Sequence, residues 1–520
     1  MVDKKTDKGE SLHYKKNKKG RSTYGFFAQK ETWSSILDFE HPNIPNQEFN
    51  DTMTANRAGR ETRDDKCEDP DSKKQAKILK AFLGTVQHYF GSWEKIFSGV
   101  RDTRNQLLIT YPMAALMCVG ILMFEFRLGA RREITHKLRG SKVAEKKFKA
   151  LFGTEEIPHG DTLNYGFKGV NPEDVQAVVI KLVKKLIRKK VLAPWRLFGI
   201  YYLITFDGTG MLTFSERHCK HCLTQKLNNG TTRYYHPVLE AKLVTANGFA
   251  ISLVTEFIEN ENMYPDKQDC ELKAFYRLVK KLNKYFPKLP MCLLLDGLFA
   301  GGPTFSICKK YDWKYLITLK DADLSSVNGE FENLMSISPD NHQHVVIGGA
   351  KRVSQAYRWM NGIDYVDSQD EKHLLSVLEC VETYRETPRK LFKSTKHKWL
   401  TNFFLTAGNV TTLANDAGRQ RWKIENEGFN VQKNGGFKLE HPYSQDENAR
   451  KVFYYLLQIA YLFFQLMEKG SLFRKAFPKG VGSLKNIADC LLEAWRNLRL
   501  DDQEFISLYS GKFQIRFDSS

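Results

Sequence analysis

Two runs of mainly apolar, strand-favouring residues, YYLITF at 201–206 and MCLLL at 291–295, each stop abruptly on Asp-Gly. A short run without polar alternation reads as a strand buried on both faces, which requires further layers on either side of its sheet. Around these runs the pattern alternates: strands are expected at 237–244 and 249–257 about the turn Asn247-Gly248, a helix at 267–285, a further helix, and a strand at 315–319. The fold class that follows is α/β. In such folds neighbouring strand ends converge on one rim, where sites are placed, so Asp207 and Asp296 are candidate functional carboxylates at the tips of their strands. Gly208 and Gly297, directly after them, permit close approach. The ordinary alternative for one such Asp is a turn or a helix cap.

The rest of the chain divides by pattern. Residues 1–75 are polar and aperiodic and read as a flexible tail, with local order about 33–39; phosphate contact and an idle extension are both open. Residues 76–195 carry helical spacing and form the expected DNA-binding region. The core would occupy 196–335 and 409–470, a mainly β segment 336–408 between them, and helices 471–520, either a dimerisation pair or packing. The apolar stretches 111–124 and 452–467 are interrupted by Pro112, Gln458 and Gln465 and fall short of about 20 clean apolar residues, so buried helices are expected rather than membrane spans.

Composition matters chiefly through charge. With 42% hydrophobic and 27% charged residues the chain is neither disordered throughout nor fibrous, yet 79 Lys and Arg against 60 Asp and Glu leave +19. That excess points to a polyanion, and it concentrates in two helical sets. One contains Lys181, Lys184, Lys185, Arg188, Lys189 and Lys190, behind the helix start Asn171-Pro172-Glu173-Asp174; the other runs from Arg127 to Lys147. Nine cysteines, odd in number and scattered, do not make a disulfide framework and suit a reducing compartment. The basic start has no apolar core behind it, so neither a secretory signal nor an anchor is expected.

A third acid lies in RQRWKIENEGFNVQK at 419–433, where Arg421 and Glu425 are four apart and share a face of a regular helix. Glu427 is turned about 200° from Glu425, so at most one of them enters the same site. Three carboxylates from two strands and a helix can hold two divalent ions suited to phosphodiester chemistry, with Arg421, Lys423, Lys433 and Lys320 as candidate phosphate contacts beside them and Lys184, Lys185 and Arg188 further out. Separately, Cys219-x2-Cys222 with His218 or His221 and His236 has the ligand types of a structural zinc site; a reduced cysteine pair in a hairpin is the alternative.

On FDGTG around Asp207, LLLDGLFAG around Asp296 and RWKIENEGFNVQKNGG around Glu425, the chain resembles DDE transposases of bacterial insertion sequences, in the branch with the signature Tyr-x2-Arg-x3-Glu-x6-Lys. The resemblance covers roughly residues 158–467. It implies an RNase H-like core interrupted by a β-strand insertion, with Asp207, Asp296 and Glu425 as catalytic Mg²⁺ ligands (Mn²⁺ substituting) and Arg421 as the signature Arg. It also implies a homodimer that holds terminal inverted repeats, cuts them through hairpinned ends and joins them to target DNA, in the bacterial cytoplasm and on the nucleoid. An aromatic of the insertion would hold a flipped base, for which Trp359 and Trp399 are candidates against an ordinary core role. Two signature positions differ: Gly418 stands for Tyr, and Gln432 stands for Lys, with Lys433 one place later. The competing functions are a metal-dependent nuclease that does not join ends and a non-catalytic DNA-binding descendant.

Overall fold

The computed structural model describes residues 70–347, 353–385 and 392–518. Of the expected tail, only the last six residues lie among them, and they open the first helix. Helices α1 (Pro70–Phe90), α2 (Trp93–Phe97), α3 (Met113–Glu125), α4 (Arg132–Lys137), α5 (Lys142–Phe152), α6 (Gly160–Lys168) and α7 (Pro172–Arg188) precede the first strand. The start of α7 follows from its sequence: the Asn171 side chain accepts from the Glu173 N–H, Pro172 opens the first turn, and Glu173 and Asp174 sit at the positive end. Val175, Val178, Val179, Leu182 and Leu186 are buried on one side.

The strands then build a single mixed sheet. In chain order the elements are β1 (Tyr202–Phe214), β2 (Leu223–Lys226), β3 (Thr232–Val244), β4 (Ala250–Phe257), α8 (Glu271–Tyr285), β5 (Met291–Leu295), α9 (Gly302–Tyr311), β6 (Lys314–Thr318), α10 (Ser325–Ile337), β7 (His342–Ile347), β8 (Val353–Val366), β9 (Lys372–Tyr384) and β10 (Lys393–Thr401). The strand order is β2-β3-β1-β5-β6-β10-β9-β8-β7, with β4 also on β3. Only β1 with β5 and β5 with β6 are parallel; the remaining pairs are antiparallel. The expected mainly β segment thus extends the same sheet, because β10 pairs with β6 at Trp399↔Thr318.

The mainly apolar runs have their cause in this layering. Tyr202, Ile204 and Phe206 of β1, with Met291, Leu293 and Leu295 of β5, face the larger core, while Leu203, Cys292 and Leu294 face a second core on the other side. That second face is covered by residues 410–434, an irregular helical segment that includes α11 (Val410–Thr412) and α12 (Asn430–Asn434).

The chain ends in α13 (Glu447–Lys469), α14 (Ser471–Ala476), α15 (Leu484–Asn497) and α16 (Asp502–Ser510). Both long apolar stretches are buried helices, α3 and α13, packed on one another. Side chains such as Leu456, Ile459 and Phe463 are fully buried, each worth about 1.5–3 kcal/mol relative to exposure. No helix among the described residues is long and apolar enough to cross a membrane. Helices α15 and α16 pack on α1 and α5, which places the C-terminal region in the core.

One buried charge is unusual. Glu125, at the end of α3, is fully buried with neither carboxylate oxygen hydrogen-bonded, and burial holds its pKa far above the ordinary range; the Arg127 guanidinium, pressed on the Phe437 ring at 3.3 Å, only partly opposes this. The unfolded chain gives up this proton at about pH 4.3 while the folded chain keeps it, so Glu125 erodes stability as pH rises from about 5 to neutral. Glu125→Gln should remove that slope, and melting curves of both proteins across this range should diverge increasingly with pH.

Candidate functional site

Asp207 does not sit at the tip of its strand, as the sequence suggested. β1 runs on through Gly208-Thr209-Gly210 to Phe214 because the equally long β3 continues the ladder beside it as far as Phe214↔Tyr234. What stops is the parallel neighbour: the last β1–β5 pair is Thr205↔Leu294. Extending that register by two residues sets Asp207 level with Asp296 on adjacent strands, spaced about 4.8 Å apart in a sheet. Both belong to the alternation that faces residues 410–434, where the Thr205 hydroxyl donates to the Arg421 carbonyl at 3.5 Å.

Asp296 also performs the ordinary capping role, its Oδ1 accepting from the Leu298 N–H at 3.4 Å. Its Oδ2 lies 3.3 Å from Arg421 Nη2, and Oδ1 lies 3.9 Å from Lys320 Nζ. The Arg421 side chain is only 7% exposed and its Nε has no partner, so a nearly buried guanidinium is aimed at the acids and not fully satisfied by them. Burial pushes the Asp207 carboxyl up to about 6; Arg421 opposes this, and Glu271 and Glu425 add to it.

Glu425 does not share burial with Arg421 as a regular helix would dictate. The turn over Gly418–Trp422 is a tight 3-10 helix and that over Ile424–Phe429 a wide π-helix, so the four-residue repeat is lost between them. Arg421 is buried while Glu425 is exposed, its charge felt at Asp207; Glu427 turns to Lys423 at 3.5 Å. Asp207, Asp296 and Glu425 are not among the compact ligand clusters of the described residues, whose donor atoms all lie within 4.8 Å of one another.

Two such clusters exist. In the first, Cys219 Sγ and Cys222 Sγ are 3.5 Å apart, His236 Nε2 lies 3.4 and 3.3 Å from them, and His218 Nδ1 is 3.5 Å from Cys222 Sγ. Both cysteines are free, and burial with the nearby Arg450 charge pushes His236 down to about 3, which keeps its imidazole neutral. His221 is turned away, to the Asn260 carbonyl at 2.7 Å. These four residues can hold a metal ion. The second cluster, Asp367, Glu371 and His373 in the β8–β9 turn, was not expected from the sequence. Its donors are already engaged: Asp367 accepts from two backbone N–H groups and contacts His373 at 3.0 Å, and Glu371 accepts from Ser306.

Several of the expected DNA-contacting side chains also make contacts within the molecule. Lys185 caps the Phe90 carbonyl at 2.8 Å, Lys181 that of Lys95 and Lys189 that of His88, while Lys184 lies over the Phe286 ring; Arg188 remains exposed. Lys433 pairs with Glu440 at 3.1 Å, and Lys423 donates to the Ala246 carbonyl. Lys320 stays two-thirds exposed beside Asp296. It borders a cleft of about 430 Å³ lined also by Lys396, Lys398, Arg419, Trp399 and Trp422. Sequence reading missed this cleft because its cations come from separate elements. Trp359 and Trp399 are 5% and 3% exposed members of the second core, so neither offers an open ring face; Trp422, 55% exposed over Arg421, does.

The two signature differences have packing reasons. A Cβ on Gly418 would lie 2.5 Å from the Trp399 ring, so the indole fills the space a side chain there would need. Gln432 is fully buried and donates to Gln458 Oε1, which also accepts from the buried Lys242, leaving no room for a solvated cation. Gly418→Ala should therefore cost about 1–3 kcal/mol by overpacking, and clearly less in a Trp399→Ala background; denaturant unfolding of the double-mutant cycle checks this.

No family model matches the chain, and neither does any curated protein.

Proposed function

We propose that this protein is a metal-dependent DNA transposase of the DDE kind, which cuts the inverted-repeat ends of a mobile element and joins their 3′-hydroxyls to target DNA. What supports the reading is the β1–β5 register, which continued two residues past its last pair Thr205↔Leu294 brings Asp207 level with Asp296, under a segment bringing Arg421 to 3.3 Å from Asp296 and the charge of Glu425 to Asp207. The strand order β4-β3-β1-β5-β6, three antiparallel strands meeting two parallel ones with the acids at the junction, supports an RNase H-like core with β7–β10 as its insertion.

The donor set fits a hard divalent cation: all carboxylate oxygens, on a sheet rim, with net negative charge. A pair of Mg²⁺ ions held there would activate the attacking oxygen and stabilise the leaving one. The chain's own residues bind and orient. Arg421, held in place by Asp296, sets its positive charge beside the acids where a phosphate would come, and Lys320 reaches the same backbone from the exposed side. In the adjoining cleft Lys396, Lys398 and Arg419 are paired with Asp321, Glu379 and Glu382, which leaves Lys320 as its most exposed cation. Two copies holding paired ends would give both ends to one target.

The Cys219, Cys222, His218 and His236 group fits one structural Zn²⁺. Its S···S and S···N spacings of 3.3–3.5 Å approach those of a tetrahedron with bonds of about 2.0–2.3 Å. His236 Nδ1 faces Glu259 at 4.0 Å, the carboxylate partner that metal-bound imidazoles favour. Metal analysis should find one zinc per chain, lost in Cys222→Ser together with more than about 5 °C of melting temperature.

Labelled duplexes carrying the element's ends, incubated with Mg²⁺ or Mn²⁺ and a target plasmid, test the main reading. Wild type should give nicked and joined products that Asp296→Ala reduces by about a thousandfold or more. Equal cutting by both proteins would sink the assignment, and cutting without joining would make the protein a nuclease.

A further inference from the structure

The acidic site contains a carboxylate beyond the three that the sequence singles out. Glu271 opens α8, 64 positions after Asp207, and its side chain lies directly on the β1 backbone: a Cβ built on Gly208 would fall 2.1 Å from Glu271 Oε1 and 2.6 Å from its Cδ. Gly208 has ordinary extended backbone in β1, so the place its missing side chain leaves is taken by this carboxylate and not by a turn. Glu271 is half-buried, and no donor or cation among the described residues is bonded to it.

Charge balance says what belongs there. Asp207 feels the charges of Glu271 and Glu425, and Glu271 that of Asp296, while Arg421 and Lys320 lie against Asp296, so four acids meet two cations around this place. Crowded carboxylates without a counter-ion are costly, and a divalent cation coordinated by their oxygens removes that cost. Arg421, nine-tenths buried against Asp296, also leaves its Nε unpartnered, which suits an anionic group bound beside the cation.

The geometry points to Glu271 as a fourth carboxylate of the metal site, a ligand that joins Asp207 in holding one divalent ion while Gly208 keeps the space it needs. This rests on the metal-dependent reading above and adds a ligand to it. Glu271 comes from the α8 side of the sheet, whereas Asp207 belongs to the alternation facing residues 410–434, so a shared ion would sit at the edge of β1 left open beyond its last pair with β5.

The test is Mn²⁺ binding to the full chain, followed by titration of free Mn²⁺ with electron paramagnetic resonance, for wild type, Glu271→Gln, Gly208→Ala and Asp207→Asn. Metal-free melting curves check that each variant is folded. Glu271→Gln should weaken Mn²⁺ binding about tenfold or more, and Gly208→Ala should do the same by displacing the carboxylate, with Asp207→Asn at least as severe. If Asp207→Asn weakens binding and Glu271→Gln and Gly208→Ala leave it unchanged, Glu271 is not a ligand and the inference falls while the metal site stands. If wild type binds no Mn²⁺, or Asp207→Asn leaves it unchanged, the metal-dependent reading itself fails and takes the inference with it.

Discussion

The ion pair between Arg421 and Asp296 ties together the two parts of the chain on which everything else depends. Asp296 ends a strand in the middle of the sheet, and Arg421 belongs to the irregular helical segment that covers that sheet's second face. A guanidinium this deeply buried is tolerable only where negative charge surrounds it, and a group of carboxylates is tolerable only where positive charge enters among them. Each explains the other's presence. The pair leaves the balance negative, which is the basis for proposing a cation there.

The same segment shows how chemistry and packing constrain one another. Trp399 fills the second core from β10 and lies against Gly418, so the covering segment can approach the sheet only where it lacks a side chain. Immediately afterwards the helix tightens and then widens, which separates Arg421, turned inward, from Glu425, turned to solvent. In the arrangement described, Glu425 reaches the acids through its field and not by contact.

Much of this was legible in the sequence, for reasons that are local. Mainly apolar runs at 201–206 and 291–295 betrayed strands buried on both faces, the cap at Asn171 marked the start of α7, and the Cys219/Cys222 pair with two histidines announced a metal-type cluster. What escaped was set by distant partners. Asp207 looked like a strand tip because Gly-Thr-Gly follows it, but β3 supplies a ladder that carries those residues onward. The lysines of α7 looked like a free basic face because nothing in a linear pattern reveals that α1 and α2 end against them with open carbonyls. Glu271 carried no signal at all: its role is fixed by a missing Cβ far away in the chain.

We propose the rim between β1 and β5 as a divalent-cation site suited to phosphodiester chemistry. Anomalous diffraction from crystals of the protein soaked in Mn²⁺ should show strong peaks between Asp207 and Asp296, with Glu271 oxygens in the coordination shell. Crystals showing ordered Asp207 and Asp296 side chains, and no Mn²⁺ peak between them at saturating metal, would contradict it.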